Sequence, residues 1–304
     1  MDSYQDSNQL SIDHLAASIT DDQLETTDSS RIGEALITHA KLNQTDVDRV
    51  LALQVEKNLL FGEAAKQLGL ITEDDLQKVL SQQFNYSYLQ EGSNKLSQLL
   101  TAAHAPFSIE AENLRSLRSQ LLMRWFDQGN KTLAITCASS QDSASLLAAN
   151  LAIVFSQLNK KTLLIDANLR QSIQHKLFNI DTKVGLANIL ANRQGRYTLV
   201  KQQSLPNLAI LTAGTMVPNP QELLSQSGFA ELLTDLEKVY DVILIDTSPL
   251  EFGSDVLTVV SKVKAAIIVA KKDTTVVADV QYLSQQIITT GAKVIGSVFL
   301  DTYF

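Results

Sequence analysis

The stretch that decides the fold is Thr132-Leu133-Ala134-Ile135-Thr136-Cys137-Ala138-Ser139-Ser140-Gln141-Asp142-Ser143-Ala144-Ser145-Leu146-Leu147-Ala148-Ala149. A short apolar run rich in β-branched residues ends at Cys137. A polar, small-residue loop follows, and then a long run of helix formers reaching Leu158. A continuous apolar run of this length is the mark of a strand buried on both faces. The same alternation extends along the chain. Strands are predicted at Thr162–Asp166, Leu208–Leu211, Val242–Asp246, Ala265–Ala270 and Val294–Val298. Helices are predicted at Ser108–Phe126, Ala144–Leu158, Gly228–Val239, Ser254–Val263 and Val276–Thr290. This order predicts an α/β fold with a doubly wound, mostly parallel sheet and a ligand site at the carboxyl ends of its strands.

Three loops leave those carboxyl ends: Ala138–Ser145, the segment Asp166-Ala167-Asn168-Leu169-Arg170, and Asp246-Thr247-Ser248-Pro249. One small-residue loop entering a helix, together with two acidic strand ends, is the layout of a P-loop nucleotide site. There the loop cradles phosphate and the acids hold Mg²⁺ and its waters. The loop departs from the pattern G/A-x-x-x-x-G-K-S/T. Ala138 and Ser145 fit its ends, but Ser143 stands at the glycine position and Ala144 at the lysine position. A unit charge about 4 Å from a phosphate oxygen is worth on the order of 4 kcal/mol at an effective dielectric of 20, and Ala144 cannot supply it. Asp142 has no neighbouring lysine to offset it. Cys137, with no histidine near it in sequence, reads as a small core residue rather than a nucleophile.

Upstream lies an internal repeat. Arg31-Ile32-Gly33-Glu34-Ala35 opens a unit that ends at Gln54, and Leu60-Phe61-Gly62-Glu63-Ala64 opens a second that ends at Gln83. Gly33/Gly62, Glu34/Glu63, Ala35/Ala64, Val50/Val79, Leu51/Leu80 and Gln54/Gln83 are identical at a period of 29 residues. Each unit closes in an amphipathic helix, with Val47, Val50 and Leu51 or Leu76, Val79 and Leu80 at i, i+3, i+4. Thr72 is an N-cap candidate for the second helix, ahead of an acidic first turn. Gln54 and Gln83 fall on the apolar faces, where an amide needs a backbone or ligand partner. The organisation read from the chain is an acidic disordered arm over 1–30, a mainly helical two-repeat domain over 31–92, a linker over 93–107 and the α/β domain over 108–304.

Composition narrows the function classes. The 304 residues carry 25 Lys and Arg against 33 Asp and Glu, a net charge of −8. That balance argues against nucleic-acid binding through bulk positive charge. Seven acids and no Lys or Arg fall in the first 30 residues, which leaves the remainder near −1. No apolar run reaches the roughly 20 residues a membrane helix requires, and Met1-Asp2-Ser3-Tyr4 does not open a signal peptide. A single cysteine excludes an intrachain disulfide and a Cys-cluster metal site. A cytoplasmic location without direct membrane insertion is expected.

Residues 106–304 resemble the bacterial tyrosine kinases of exopolysaccharide export (BY-kinases), of the EpsG chain-length-determinant type, relatives of the MinD/ParA ATPases. The resemblance rests on the three loops, on Gln174-His175-Lys176-Leu177-Phe178, on Pro218-Asn219-Pro220-Gln221-Glu222-Leu223-Leu224, and on Glu112-x-x-Arg115-x-x-Arg118. It implies oligomer assembly through Glu112, Arg115 and Arg118. It implies docking at the inner face of the bacterial inner membrane, on a chain-length determinant that serves as polysaccharide co-polymerase. An active kinase paralogue is a further implied partner. Relative to the family, Asn168 replaces the second aspartate of its loop, while Asp166, Asp246 and Pro249 remain. Tyr303 stands where a C-terminal tyrosine cluster is usual. From these departures the expectation is a catalytically inactive pseudokinase or scaffold, with Asp166, Asn168 and Asp246 vestigial and Mg-ATP bound weakly or not at all. The alternatives are a divergent tyrosine autokinase or ATPase, drawing a cation from Arg115, Arg118, Lys160 or Lys161 of a neighbouring subunit, and a degenerate ParA/MinD-like positioning factor.

Residues 31–83 resemble the N-terminal domain of type II secretion and type IV pilus assembly ATPases, some of which bind cyclic di-GMP. The resemblance assigns that nucleotide to Arg31, Gly33, Gln54, Gly62 and Gln83. Leu60 replaces an arginine and Ala40 a glycine of that pattern.

Overall fold

The computed structural model describes residues 36–37, 42–57, 59–72, 75, 79, 96–191, 199–202 and 205–301. The chain divides into two compact units, Met1–Tyr86 and Ser87–Phe304. In the first, α1 (Gln44–Lys57) and α2 (Phe61–Gln67) are described. Asn43 Oδ1 accepts from the Asp46 N–H at 2.9 Å, capping α1. The capping partners of Thr72 are also in place, its hydroxyl accepting from the Asp75 N–H at 3.2 Å. Leu36, Val50, Phe61, Ala64, Ala65, Ile71 and Val79 form a small apolar core.

The second unit opens with α3 (Thr101–His104) and α4 (Ile109–Arg124). Ser108 caps α4, accepting from the Ala111 N–H at 3.2 Å. Then follow β1 (Thr132–Cys137), α5 (Ala144–Ser156), β2 (Thr162–Ala167), α6 (Gln174–Leu177), α7 (Leu186–Leu190), β3 (Val200–Gln202) and β4 (Leu205–Leu211). The chain continues through α8 (Pro220–Ser225), α9 (Ser227–Glu237), β5 (Val242–Thr247), α10 (Asp255–Val263), β6 (Ala265–Lys271), α11 (Val277–Thr289) and β7 (Lys293–Leu300).

The strands form one seven-stranded sheet in the order β3-β4-β2-β5-β1-β6-β7. All neighbours are parallel except the β3–β4 pair. The six parallel strands are those expected from the apolar runs. β1, β2 and β5 are buried along their whole length, which is why they read as continuous apolar runs. The antiparallel edge strand β3 and the short helices α6, α7 and α8 were not predicted.

Each face of the sheet has its own core. On one, α5 is almost wholly apolar and packs under α4, with the Phe126 and Phe155 rings edge to face at 5.2 Å. Buried in its middle, Asn150 accepts from the Ala102 N–H at 2.9 Å and donates to Leu99 O and Leu146 O, latching the α3 segment to α5. On the other face Phe229, Leu233, Val256, Val260, Leu283 and Ile287 pack from α9, α10 and α11. With both faces covered, the free polar rim lies at the strand ends.

Candidate nucleotide site

Parallel pairing sets Asp166 beside Asp246 in register between β2 and β5. Both carboxylates are fully buried. The Ser145 hydroxyl, one residue into α5, donates to Asp246 Oδ1 at 2.9 Å. Asp166 accepts from the Asn168 N–H at 3.2 Å and from the Gln174 N–H at 3.3 Å. Three of the predicted loops therefore converge on one point.

The loop keeps its shape despite its altered residues. Ser143 adopts the left-handed conformation, φ 60° and ψ 26°, that the motif assigns to glycine. Such a backbone costs a residue with a Cβ roughly 1–2 kcal/mol, and the flanking structure holds it. The Asp142 carboxylate is buried under the loop. It accepts from the Ser139 N–H at 3.1 Å and from the Thr275 hydroxyl, so it braces the loop from behind. Ala144 is buried and brings no charge. Ala138 accepts through its carbonyl from the Glu251 N–H at 3.1 Å.

The electrostatics are one-sided. Burial pushes the Asp246 carboxyl up to about 7, with the Gln174 and Ser145 hydrogen bonds pulling the other way. Burial, and then the charge of Asp246, raise Asp166 well above the ordinary carboxylate value. Burial, then the charges of Asp142 and Asp246, also raise the Cys137 thiol, which leaves it an inert core group.

Two residues missed in the sequence complete the rim. Gln174 is fully buried. Its amide donates to Asp246 Oδ2 at 2.7 Å and to Ser145 O at 2.9 Å. Both contacts are acceptors, so the amide orientation is fixed and its Oε1 is left without a partner. Glu251, on a short turn after β5, accepts from the Ser140 N–H at 2.6 Å. Only the family-like segment beginning at Gln174 pointed to the first, and nothing local pointed to the second.

Ser145 Oγ, the two carboxylates and the Gln174 Oε1 are hard oxygen donors, the set that suits Mg²⁺. Among the described residues no three His, Cys, Asp or Glu side chains converge to hold a metal. A bound Mg²⁺ would therefore complete its shell from waters and phosphate oxygens. When bound, it would neutralise charge between phosphate groups.

The other predicted residues fall elsewhere. Asn168 turns away from chemistry: its Oδ1 accepts from the Gln171 N–H at 3.0 Å and closes a turn. Arg170, two residues on, makes a bidentate pair with Asp255 at 2.6 and 3.0 Å. Arg115 binds Glu112 at 2.8 Å and the Pro106 carbonyl, and Arg118 donates to Val154 O at 2.6 Å. Both arginines are thus hydrogen-bonded within their own chain. Lys160 and Lys161 stand before β2, at the opposite end of the sheet from the carboxylates. In the first unit Gln54 is half-buried and Gly62 is buried at the start of α2, among Phe61, Ala64 and Ala65. Arg31, Gly33, Gln83 and Tyr303 lie outside the described residues. So do the whole acidic arm and the 84–95 stretch. Among the described residues no helix is long and apolar enough to cross a membrane.

Comparison with known proteins supplies the remaining finding. A family model described as an AAA domain matches residues 128–294, more than half of the chain. The tyrosine-protein kinase CapB of Staphylococcus aureus is 33% identical over 64% of this chain and 85% of its own length. The tyrosine-protein kinase ptk of Acinetobacter johnsonii is 29% identical over 64% of this chain, which spans only 26% of that longer protein. The solved kinase domain of the Escherichia coli tyrosine kinase ETK superposes with a TM-score of 0.65 and 26% identity, covering 71% of this chain and 87% of that one. These relatives overturn the expectation of a non-enzyme. They are named as kinases, the family model spans all three loops, and Ser145, Asp166 and Asp246 stand together in this chain. The altered residues Ser143, Ala144 and Asn168 do not outweigh that, since the Ser143 backbone is preserved and Asn168 is used in a turn. The chain belongs to the AAA-domain family of bacterial tyrosine-protein kinases.

Proposed function

We propose that the chain is a divergent tyrosine kinase of exopolysaccharide export that binds a Mg²⁺-nucleotide at the three-loop rim and passes a phosphoryl group to a tyrosine hydroxyl. The observation that carries this reading is the Ser145–Asp246 hydrogen bond with Asp166 in register beside it. Ser145 and Asp246 would hold the cation and its waters, and Gln174 keeps both in place. Asp166, held by burial and by the neighbouring Asp246 charge above the ordinary carboxylate value, is the candidate acceptor of the tyrosine proton. A divalent cation held by Ser145 and Asp246, and a cation from a neighbouring subunit, would supply the positive charge that Ala144 does not. Assembly and docking on a membrane chain-length determinant bring donor and acceptor tyrosines together.

The test is calorimetric titration of the full chain with Mg-ATP, alongside phosphotyrosine detection after incubation with labelled ATP. Binding and label are expected in the native chain, with at least about a hundredfold weaker binding in Asp246→Ala. No binding in the native chain, or an unaffected Asp246→Ala variant, would sink the reading.

The repeat unit is read as the sensor, taking cyclic di-GMP at Arg31, Gly33, Gln54, Gly62 and Gln83. The repeated Gly and Gln at a 29-residue period favour this. Titration with cyclic di-GMP should give binding that Arg31→Ala removes. Silence by calorimetry and by an independent assay would make the unit a protein-docking module instead.

A further inference from the structure

The loop amides are the groups that would receive phosphate, and two of them are already taken by carboxylates of the chain. The Ser139 N–H donates to Asp142 at 3.1 Å, and the Ser140 N–H donates to Glu251 at 2.6 Å. Asp142 belongs to the loop itself. Glu251 comes from 111 residues further on, in the turn Leu250–Phe252 that follows β5. That turn is fastened to the loop twice, because the Glu251 N–H also donates to Ala138 O at 3.1 Å. The backbone bond fixes where the residue sits, and the side-chain bond places a charge on the loop. The hydrogen bonds from Ser140 and Ser139 hold the Glu251 carboxyl below the usual carboxylate range, so it is ionised at neutral pH. Its side chain is exposed, so nothing in the packing prevents it from swinging away.

We propose that Glu251 is a specificity-determining residue of the phosphate loop: an internal anion, seated on the Ser140 amide, that an incoming phosphate must displace. The proposal rests on the reading of the rim as a nucleotide site. A free phosphate chain reaching the loop meets Glu251 in front, Asp142 beneath, and no lysine at Ala144 to outweigh them. A phosphate chain already neutralised by a divalent cation meets less repulsion. Glu251 thereby selects metal-complexed nucleotide over free anion.

The experiment uses the full chain and its Glu251→Gln and Glu251→Lys variants, titrated calorimetrically with ATP in the presence and absence of Mg²⁺, and with inorganic pyrophosphate. Glutamine keeps the length and an acceptor for Ser140 and removes only the charge. Lysine puts a cation where the loop has none. Glu251→Gln should bind free ATP and pyrophosphate about tenfold tighter than the native chain, and Glu251→Lys tighter still. The gain should be smaller for Mg-ATP and should shrink at high salt. Equal affinity of native chain and variants for Mg-ATP and for the free anions would overturn the Glu251 proposal and leave the nucleotide site standing. Weaker binding in Glu251→Gln would also overturn it. No binding of any ligand by any of the three chains would overturn both. Melting curves of the ligand-free variants show whether the fold is intact, and the exposure of Glu251 predicts no loss.

Discussion

Asp255 and Asp246 are both nearly inaccessible carboxylates near the same rim of the sheet, yet they are partnered in opposite ways. Asp255, in the first turn of α10, faces the Arg170 guanidinium in a two-bond fork. Asp246 is met only by neutral donors, the Ser145 hydroxyl and the Gln174 amide, with the Asp166 carboxylate beside it. The first pair is complete within the chain and tethers the second loop to α10. The second is incomplete. A buried charge without a compensating cation is costly, so either a proton or a cation from outside must reside there. One carboxylate is therefore structural and the other is a receptor for positive charge.

The sharpest way to break this comparison is through pH. The Asp246 carboxyl is raised by burial to about 7, above the ordinary value of 3.8. The folded state then holds a proton that the unfolded chain has already released, so the contribution of Asp246 to stability is full below about pH 4 and is lost as the pH rises toward 7. For one group with this shift the loss is on the order of 4 kcal/mol. Urea denaturation of the native chain and of Asp246→Asn should therefore differ in pH dependence across that window, the variant having the flatter profile. Parallel profiles would mean that Asp246 is not held as a strained acid. Mg²⁺ should recover stability in the native chain at pH 7 and not in the variant.

Next in size is the completed pair. Arg170→Ala leaves Asp255 buried without its cation, while the partial exposure of Arg170 lets water reach the vacated position. A loss of about 2 kcal/mol is expected, seen as a melting temperature lower by about 4–8 °C. A neutral result would make the fork decorative and remove the contrast with Asp246.

The smallest effect concerns the loop between them. Ser143 holds a left-handed backbone at a cost that glycine would not bear. Ser143→Gly should stabilise the chain by about 1 kcal/mol without changing the Ser145–Asp246 contact. A destabilised variant would show that the Ser143 side chain has a role its backbone does not reveal.

Much of the site was legible because its parts are local. The ends of β1, β2 and β5 are marked by apolar runs that stop at Cys137, Asp166 and Asp246, and parallel pairing alone brings such ends together. What sequence could not give was the fate of each altered residue. Ser143 looked like a lost glycine, yet the fold imposes the glycine conformation on it. Asp142 looked like an unopposed acid, yet Thr275, 133 residues away, hydrogen-bonds to it beneath the loop. Arg115 and Arg118 read as part of an assembly surface, and the fold adds hydrogen bonds from both to carbonyls of their own chain that no spacing showed. The edge strand β3 and helices α6 to α8 escaped because three to six residues are too few to show a period.

By itself the sequence determined the class of the fold, the six parallel strands and the longer helices between them, the acidic ends of β2 and β5, and the missing charge at Ala144. Those depend on hydrophobic periodicity and on short spacings, which are properties of neighbours along the chain. Tertiary structure alone decided which carboxylates are paired, which are left for a cation, and that Glu251 sits on the phosphate loop. Those depend on contacts between residues 72 to 133 positions apart, such as Gln174 with Asp246, Arg170 with Asp255 and Asp142 with Thr275. No local pattern encodes them, because burial and charge compensation are set by the packed sheet and not by any one segment of it.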